Sequence, residues 1–288
     1  MTEIDILIPC YKNIEQICSL LHSLKEQINI KINKIVCPLT LSNEETDKAI
    51  KQLFNDNNVT SFDVLPNEFS HSLTREKAIK EYCSSSIVVL ISQDVQLVSK
   101  DSIANLIKSI ADGESAYNYG RQICPKKCIE KYIRKKNYPS TSRFISKDDI
   151  PTMQIMAFFA SDAFSAINRD VFLKINGYQG NDVSMSEDML YSYFLLNAGY
   201  KKRYCADAVV VHYHNLKLSQ LYKRYYETGV FYKKIKVFNN YKSNEAGVKL
   251  ALYVLKECFK HFDIKSLFIF FPNMLARYLG MKKGKKAR

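Results

Sequence analysis

The stretch Ile87-Val88-Val89-Leu90-Ile91-Ser92-Gln93-Asp94-Val95 decides how the rest of this chain is read. Five consecutive β-branched or leucine residues fit a strand buried on both faces, the pattern of a parallel sheet. The polar triplet Ser92-Gln93-Asp94 follows where such a strand would end. Ligands of open α/β sheets collect beyond the carboxyl ends of the strands. A carboxylate there can hold a divalent metal, so Asp94 is a candidate ligand; capping a loop is its plainer alternative.

Upstream of that strand the pattern alternates. Residues 4–8 read as a strand, followed by Pro9-Cys10-Tyr11-Lys12-Asn13, and residues 15–28 place Ile17, Leu20, Leu21, Leu24 and Ile28 at helical spacing. Residues 34–37 are a second strand. Ser42-Asn43-Glu44-Glu45 reads as a capping box for a helix with Ala49, Ile50, Leu53 and Phe54 on one face. Residues 59–65 are a third strand and residues 74–82 a short helix. Strands alternating with helices predict βαβ units around a mostly parallel, Rossmann-like sheet.

Downstream, a helix is expected over residues 102–111, and then the alternation breaks. Residues 121–156 are basic and irregular and predict a loop-rich insertion. An apolar run over 158–167 precedes a short helix over 169–175. Ser186-Glu187-Asp188 opens a helix that Gly199 closes, and a strand over 208–211 runs into His212-Tyr213-His214. From Leu216 the pattern is helical and basic.

With 288 residues, 47% hydrophobic and 25% charged, the chain can bury the core of one large domain, or of one domain with a helical appendage. No signal peptide is expected, because no apolar segment follows a basic start. The apolar run 267–271 ends at Pro272, far short of the roughly 20 residues that span a bilayer. Eight scattered cysteines with no Cys-x-x-Cys pair read as reduced thiols of a cytoplasmic protein. The net charge of +13 is concentrated at one end: residues 216–288 carry 17 Lys/Arg against 4 Asp/Glu, so residues 1–215 are neutral. A neutral body, 1–215, with a basic, aromatic-rich extension, 216–288, points to a polyanionic partner, membrane or nucleic acid.

Taken in order, Ile8-Pro9-Cys10-Tyr11, the triplet ending in Asp94, Glu187-Asp188 opening a helix, and a histidine after the next strand resemble the inverting family 2 glycosyltransferases of GT-A fold. Further stretches are similar to the bacterial rhamnosyltransferase branch of that family: Glu68-Phe69-Ser70-His71-Ser72-Leu73-Thr74-Arg75, Tyr119-Gly120-Arg121-Gln122, Asn137-Tyr138-Pro139, Ser186-Glu187-Asp188-Met189 and Val211-His212-Tyr213-His214-Asn215. The resemblance covers residues 3–235.

It implies a nucleotide-sugar donor, whose departing diphosphate a divalent cation stabilises as Lewis acid and template. Oxygen ligands suit Mg2+ or Mn2+, and imidazole is better tolerated by Mn2+. Asp94 would be the carboxylate ligand, with His212 or His214 opposite. Asp188, at the start of a helix, is the candidate base for the acceptor hydroxyl, with Glu187 beside it in a different role. Arg75 would pair with a phosphate. Pro9, Tyr11 and Asn13 would line base and ribose, Tyr11 by stacking, while Gln93 and Arg121 complete the expected substrate contacts. Two departures stand out. Many relatives carry an Asp-Asp or Asp-Ser pair after the second strand where this chain has Pro38-Leu39-Thr40-Leu41-Ser42, leaving Thr40 as a weak substitute. Ser92 replaces the first acidic residue of the metal triplet, as in the rhamnosyltransferases.

The donor expected from the resemblance is dTDP-L-rhamnose, with a UDP-hexose or UDP-N-acetylhexosamine as the second choice, and the acceptor a lipid-linked chain or oligosaccharide of a surface polysaccharide such as O-antigen or capsule. The basic extension, with Lys223-Arg224-Tyr225-Tyr226, Lys233-Lys234-Ile235-Lys236 and residues 281–288, would then lie on the anionic inner face of the cell membrane. Nucleic acid is the remote alternative and is not expected, because the charge and aromatics lie outside the α/β body. No oligomeric state follows from the sequence.

Overall fold

The computed structural model describes residues 1–214, 216–242 and 244–287. Asn215, Ser243 and Arg288, the first and last of which belong to stretches singled out above, lie outside the described residues. Ten strands among the described residues form one sheet: β1 Thr2–Leu7, β2 Cys10–Tyr11, β3 Ile30–Thr40, β4 Thr60–Val64, β5 Ile87–Ile91, β6 Gln96–Leu97, β7 Tyr117–Ile123, β8 Arg143–Ile145, β9 Phe164–Asn168 and β10 Lys202–Val211. The helices are α1 Ile14–Lys25, α2 Glu44–Asp56, α3 His71–Lys77, α4 Ser102–Ala111, α5 Ile129–Asn137, α6 Ile150–Met153, α7 Arg169–Lys174, α8 Glu187–Asn197, α9 Leu218–Lys234, α10 Asn244–Lys260 and α11 Ile264–Gly284.

Strand β5 behaves as its composition requires. Ile87, Val89 and Ile91 pack with α1, α2 and α4 on one face of the sheet, while Val88 and Leu90 pack with Ile79, Phe172, Tyr191 and Leu195 on the other. A strand covered on both faces has no use for polar alternation. The order β4-β3-β1-β5 is parallel throughout. Beyond β5 the sheet turns mixed: β9 runs antiparallel to β5 and β7, and β10 lies parallel to β7. The fold is therefore α/β with a mostly parallel central sheet and a helical C-terminal region.

Several expectations are corrected. Strands β3 and β10 are longer than their apolar centres, and β7 was not foreseen at all. Its sequence is half polar, but Asn118 and Gln122 are buried and their side chains hydrogen-bonded. Gly120 lets β9 and β10 close in, since a Cβ there would stand 2.4 Å from the Phe164 ring and 2.7 Å from the Ala208 carbonyl. The cap of α2 is Asn43, which accepts from Thr46 N–H, and Ser42 instead holds Asp47. Residues 121–156 are not loop-rich. They contain α5, whose Ile129, Tyr132 and Ile133 sit at i, i+3 and i+4 against Val254, Cys258 and Phe270. The lysines and arginines between those apolar residues had masked the stripe.

The basic C-terminal region is not a loose appendage. Phe231, Tyr232 and Phe238 share a cluster with Ile145, Phe158 and Leu190. Helix α11 packs on α9 through Gly280 and Gly284, the latter so close that a Cβ would stand 2.0 Å from the Tyr226 carbonyl.

Candidate active site

Two chambers open at the carboxyl ends of the parallel strands. The first, about 490 Å³, is lined by Pro9, Tyr11, Thr40, Pro66, Phe69 and Gln93 among others; the second, about 510 Å³, by residues of α5, α8, α9 and the segment 159–163. They share His71, Arg75, Ser92 and Asp94, so they form one cleft.

Asp94 occupies that seam because β5 ends three residues earlier. Strand β10 ends beside it and delivers two histidines: His212 Nε2 is 3.5 Å from Asp94 Oδ1, and His214 Nδ1 is 3.6 Å from Asp94 Oδ2. One donor atom from each of the three residues lies within 4.8 Å of the others. Both histidines thus converge on Asp94, where the sequence left the choice between them open. Burial pushes Asp94 up, but the hydrogen bond and charge of His212, with the charge of His214, outweigh it and hold the carboxyl below its usual value. Burial, with His212 and Arg224 nearby, pushes His214 down to about 4, so at neutral pH its ring is uncharged with a free lone pair.

Gln122, not foreseen, completes the centre. Its Oε1 lies 2.9 Å from His212 Nδ1 and also accepts from Arg134. An amide oxygen receiving two donors fixes His212 with its Nδ1 protonated, leaving Nε2 turned toward Asp94, the arrangement that orients metal-binding histidines. A set of one carboxylate and two imidazoles can hold a divalent ion and, of Mg2+ and Mn2+, suits Mn2+ better.

Across the second chamber, Ser186 has a positive φ of 64° that swings the chain into α8 and brings Glu187 and Asp188 to its first turn. Such backbone costs about 1–3 kcal/mol in non-glycine residues and clusters at functional sites. Glu187 is buried and paired with Arg75 at 3.1 Å. Among the described residues Asp188 has no such ion pair and accepts only from the Met189 N–H at 2.6 Å. Burial, with the charges of Glu187 and Asp162, pushes its carboxyl well above the usual value. Asp162, also unforeseen, is buried and accepts from Tyr117, Ser165 and Tyr178.

Other expected contacts are re-assigned. Arg75 borders both chambers: one terminal nitrogen pairs with Glu187 and donates to the His71 carbonyl at 3.0 Å, while its buried Nε has no partner among the described residues. Gln93 clasps Tyr11, accepting from its N–H at 2.7 Å and donating to its carbonyl at 2.9 Å. Tyr11 and Pro9 do line the first chamber, and Thr40 is at its floor. Asn13 does not line it, because its side chain caps α1. Arg121 lines neither chamber: the two-residue period of β7 sends Gln122 to the site and Arg121 to the other face. The missing acidic pair is not replaced, since Asp47, the nearest buried carboxylate, is consumed by Ser42.

The description glycosyl transferase family 2 matches residues 5–175. This chain belongs to that family. The glycosyltransferase is 32% identical over 232 residues to the O-antigen chain rhamnosyltransferase RfbN of Salmonella typhimurium, spanning 80% of this chain and 72% of that protein. It is 30% identical over 213 residues to the O-antigen chain rhamnosyltransferase WbaN of Salmonella anatum, spanning 73% and 66%. In fold the enzyme is similar to the mannosyltransferase PcManGT of Pyrobaculum calidifontis, solved with GDP-Man and Mn2+, at a TM-score of 0.62 and 14% identity over 96% of this chain and 83% of that one. S. aureus TarS 1–349 in complex with UDP-GlcNAc gives a TM-score of 0.55 at 13% identity, over 91% and 73%. These solved structures carry the GT-A architecture.

Proposed function

We propose that the enzyme transfers L-rhamnose from dTDP-L-rhamnose, with inversion, to a lipid-linked or oligosaccharide acceptor of a surface polysaccharide at the inner face of the membrane. The sugar rests on the two Salmonella relatives, both named as O-antigen chain rhamnosyltransferases. The observation that carries the reaction is the single cleft in which Asp94, His212 and His214 stand at the seam while Asp188 faces the second chamber.

In this reading the nucleotide fills the first chamber, its base against Tyr11 and Phe69, its diphosphate at the seam. A divalent ion on Asp94, His212 and His214 would supply Lewis acidity to the leaving diphosphate. Asp188 takes the proton of the acceptor hydroxyl. Its environment suits a base, because a carboxyl with a raised pKa holds a proton more readily at the moment of attack. Arg75 neutralises Glu187, so that only one of the two adjacent carboxylates is free to act. Inversion follows when donor and base lie on opposite sides of the transferred sugar, as the two chambers allow.

Thermal shift with nucleotide sugars in the presence of Mn2+ tests the donor. Stabilisation by dTDP-L-rhamnose and not by UDP-sugars is expected; the reverse pattern would transfer the reading to a UDP-hexose or UDP-N-acetylhexosamine donor.

A further inference from the structure

Helix α11 carries an apolar stripe on its outward face as well as apolar residues on its inward one. Ile264, Phe268, Phe271, Leu275 and Tyr278 recur at alternating spacings of four and three, which places them on one face, and they are between 55% and 79% exposed. The face turned to the protein holds Ser266, Asn273, Gly280 and Gly284, all buried, together with Phe270. Surface helices keep their apolar stripe inward. Here Leu267, Phe270, Met274 and Met281 pack inward beside those small and polar residues, and a second apolar stripe points out.

Further exposed apolar side chains lie on α10, which packs against α11, and on the bend between the two. Val248, Leu252 and Phe259 of α10 are more than half exposed, and Phe262 at the bend between the helices is 87% exposed. Isolated exposed apolar side chains are ordinary, but a contiguous patch larger than a few hundred Å² marks a contact surface. No helix among the described residues is long and apolar enough to cross a membrane. Charge selects among the occupants. Helix α11 contains no acidic residue, and Lys265, Lys282 and Lys283 are exposed beside the stripe. A second copy of this chain would oppose one strongly basic face to another, whereas anionic headgroups complement it.

We propose that the α10–α11 hairpin lies in the interface of an anionic bilayer, its exposed stripe among the acyl chains and its lysines at the headgroups. The inner side of α11 carries Arg277, which borders the second chamber and pairs with Glu130 at 2.7 Å. Membrane contact therefore seats that chamber at the bilayer surface, where a lipid-linked acceptor resides. This last consequence rests on the function proposed above; binding of the hairpin to lipid does not.

The test is co-sedimentation of the full chain with phosphatidylcholine vesicles, with and without phosphatidylglycerol, while release of nucleoside diphosphate is followed on a water-soluble acceptor. The wild type is expected to sediment with the anionic vesicles and to be released by salt. Phe262→Ser/Phe268→Ser/Phe271→Ser should weaken that binding at least about tenfold and leave turnover on the soluble acceptor and the circular dichroism unchanged. Should the triple variant misfold, Lys282→Glu/Lys283→Glu serves instead, with the same loss confined to anionic vesicles. Wild type remaining in the supernatant, wild type forming a dimer that no longer takes up vesicles, or folded variants that sediment like wild type would each overturn the proposal. Absent turnover with intact vesicle binding would instead count against the transferase reading alone.

Discussion

The first chamber takes all its lining residues from between Pro9 and Asp94, whereas the second draws on residues from His71 to Arg277. The two are nearly equal in volume, yet one is made by a contiguous run of βα units and the other by pieces brought together over most of the chain. A chamber of the first kind inherits its geometry from the sheet. The second depends on α5, α9 and α11 docking correctly, and on a glycine contact at Gly284 that tolerates no side chain. Chemistry is divided along the same line, with nucleotide contacts proposed on one side and proton transfer on the other.

The largest effect that would sharpen this division is expected at Asp188. Asp188→Asn should lower kcat by about 10²–10⁴-fold while leaving donor affinity unchanged, because the residue touches only the second chamber. Equal losses in donor binding would break the comparison. The pH profile gives an independent reading. Burial and the neighbouring carboxylates raise the Asp188 pKa, and the base acts only when ionised, so activity should climb with pH through a step above the usual carboxylate range. Ionising a carboxyl whose folded pKa is raised costs stability. That stability is fully present below the unfolded pKa and is lost as pH rises through the folded one. Asp188→Asn should therefore have a higher Tm than wild type at neutral pH, with the difference vanishing in acid.

Next in size is Gln122, which stands at the boundary. Gln122→Leu removes the acceptor for His212 Nδ1 and for Arg134. Loss of such a partner typically costs 10–100-fold in metal affinity. A titration of activity against Mn2+ should show that shift, with kcat largely restored at saturating ion. An unchanged titration would remove His212 from the metal centre.

Third is Gly284. Gly284→Leu would push α11 off α9, at a cost of about 1–3 kcal/mol in stability. The comparison predicts that acceptor KM rises while donor KM is spared, since no residue of either helix lines the first chamber.

How much of this was legible in the sequence follows the same division. The parallel half of the sheet could be read because β5 is apolar on both faces, β1 carries Ile4 and Ile6 on one, and their helices carry plain stripes. Asp94 could be singled out at a strand end, whereas His212, His214 and Asp188 were named through the resemblance to the family, whose motifs sit at a strand end and a helix start. Gln122 could not: in a half-polar strand only pairing reveals which of Arg121 and Gln122 faces inward. The pairing of Arg75 with Glu187 could not be read, because the two lie 112 positions apart and are joined only by the fold. The direction of the α11 stripe was equally hidden, because periodicity identifies an apolar face without stating which way it points.

The smallest expected effect is at Tyr11, where the first chamber is most exposed. Its ring is 44% exposed and has Lys12 Nζ 4.7 Å from its centroid. The Tyr11 backbone is held by the two hydrogen bonds exchanged with Gln93 and by the Asn13 N–H donating to its carbonyl. A base stacking on an aromatic ring contributes about 1–3 kcal/mol, and an exposed ring belongs at the low end of that range. Tyr11→Ala should therefore raise donor KM by roughly fivefold to tenfold and leave kcat and acceptor KM as they were. Gln93→Leu should reproduce part of that rise, because it releases the backbone that presents the ring without removing the ring itself. If Gln93→Leu instead matched or exceeded Tyr11→Ala, Gln93 would have to contact the donor directly, and the first chamber would owe its selectivity to a polar contact in place of stacking.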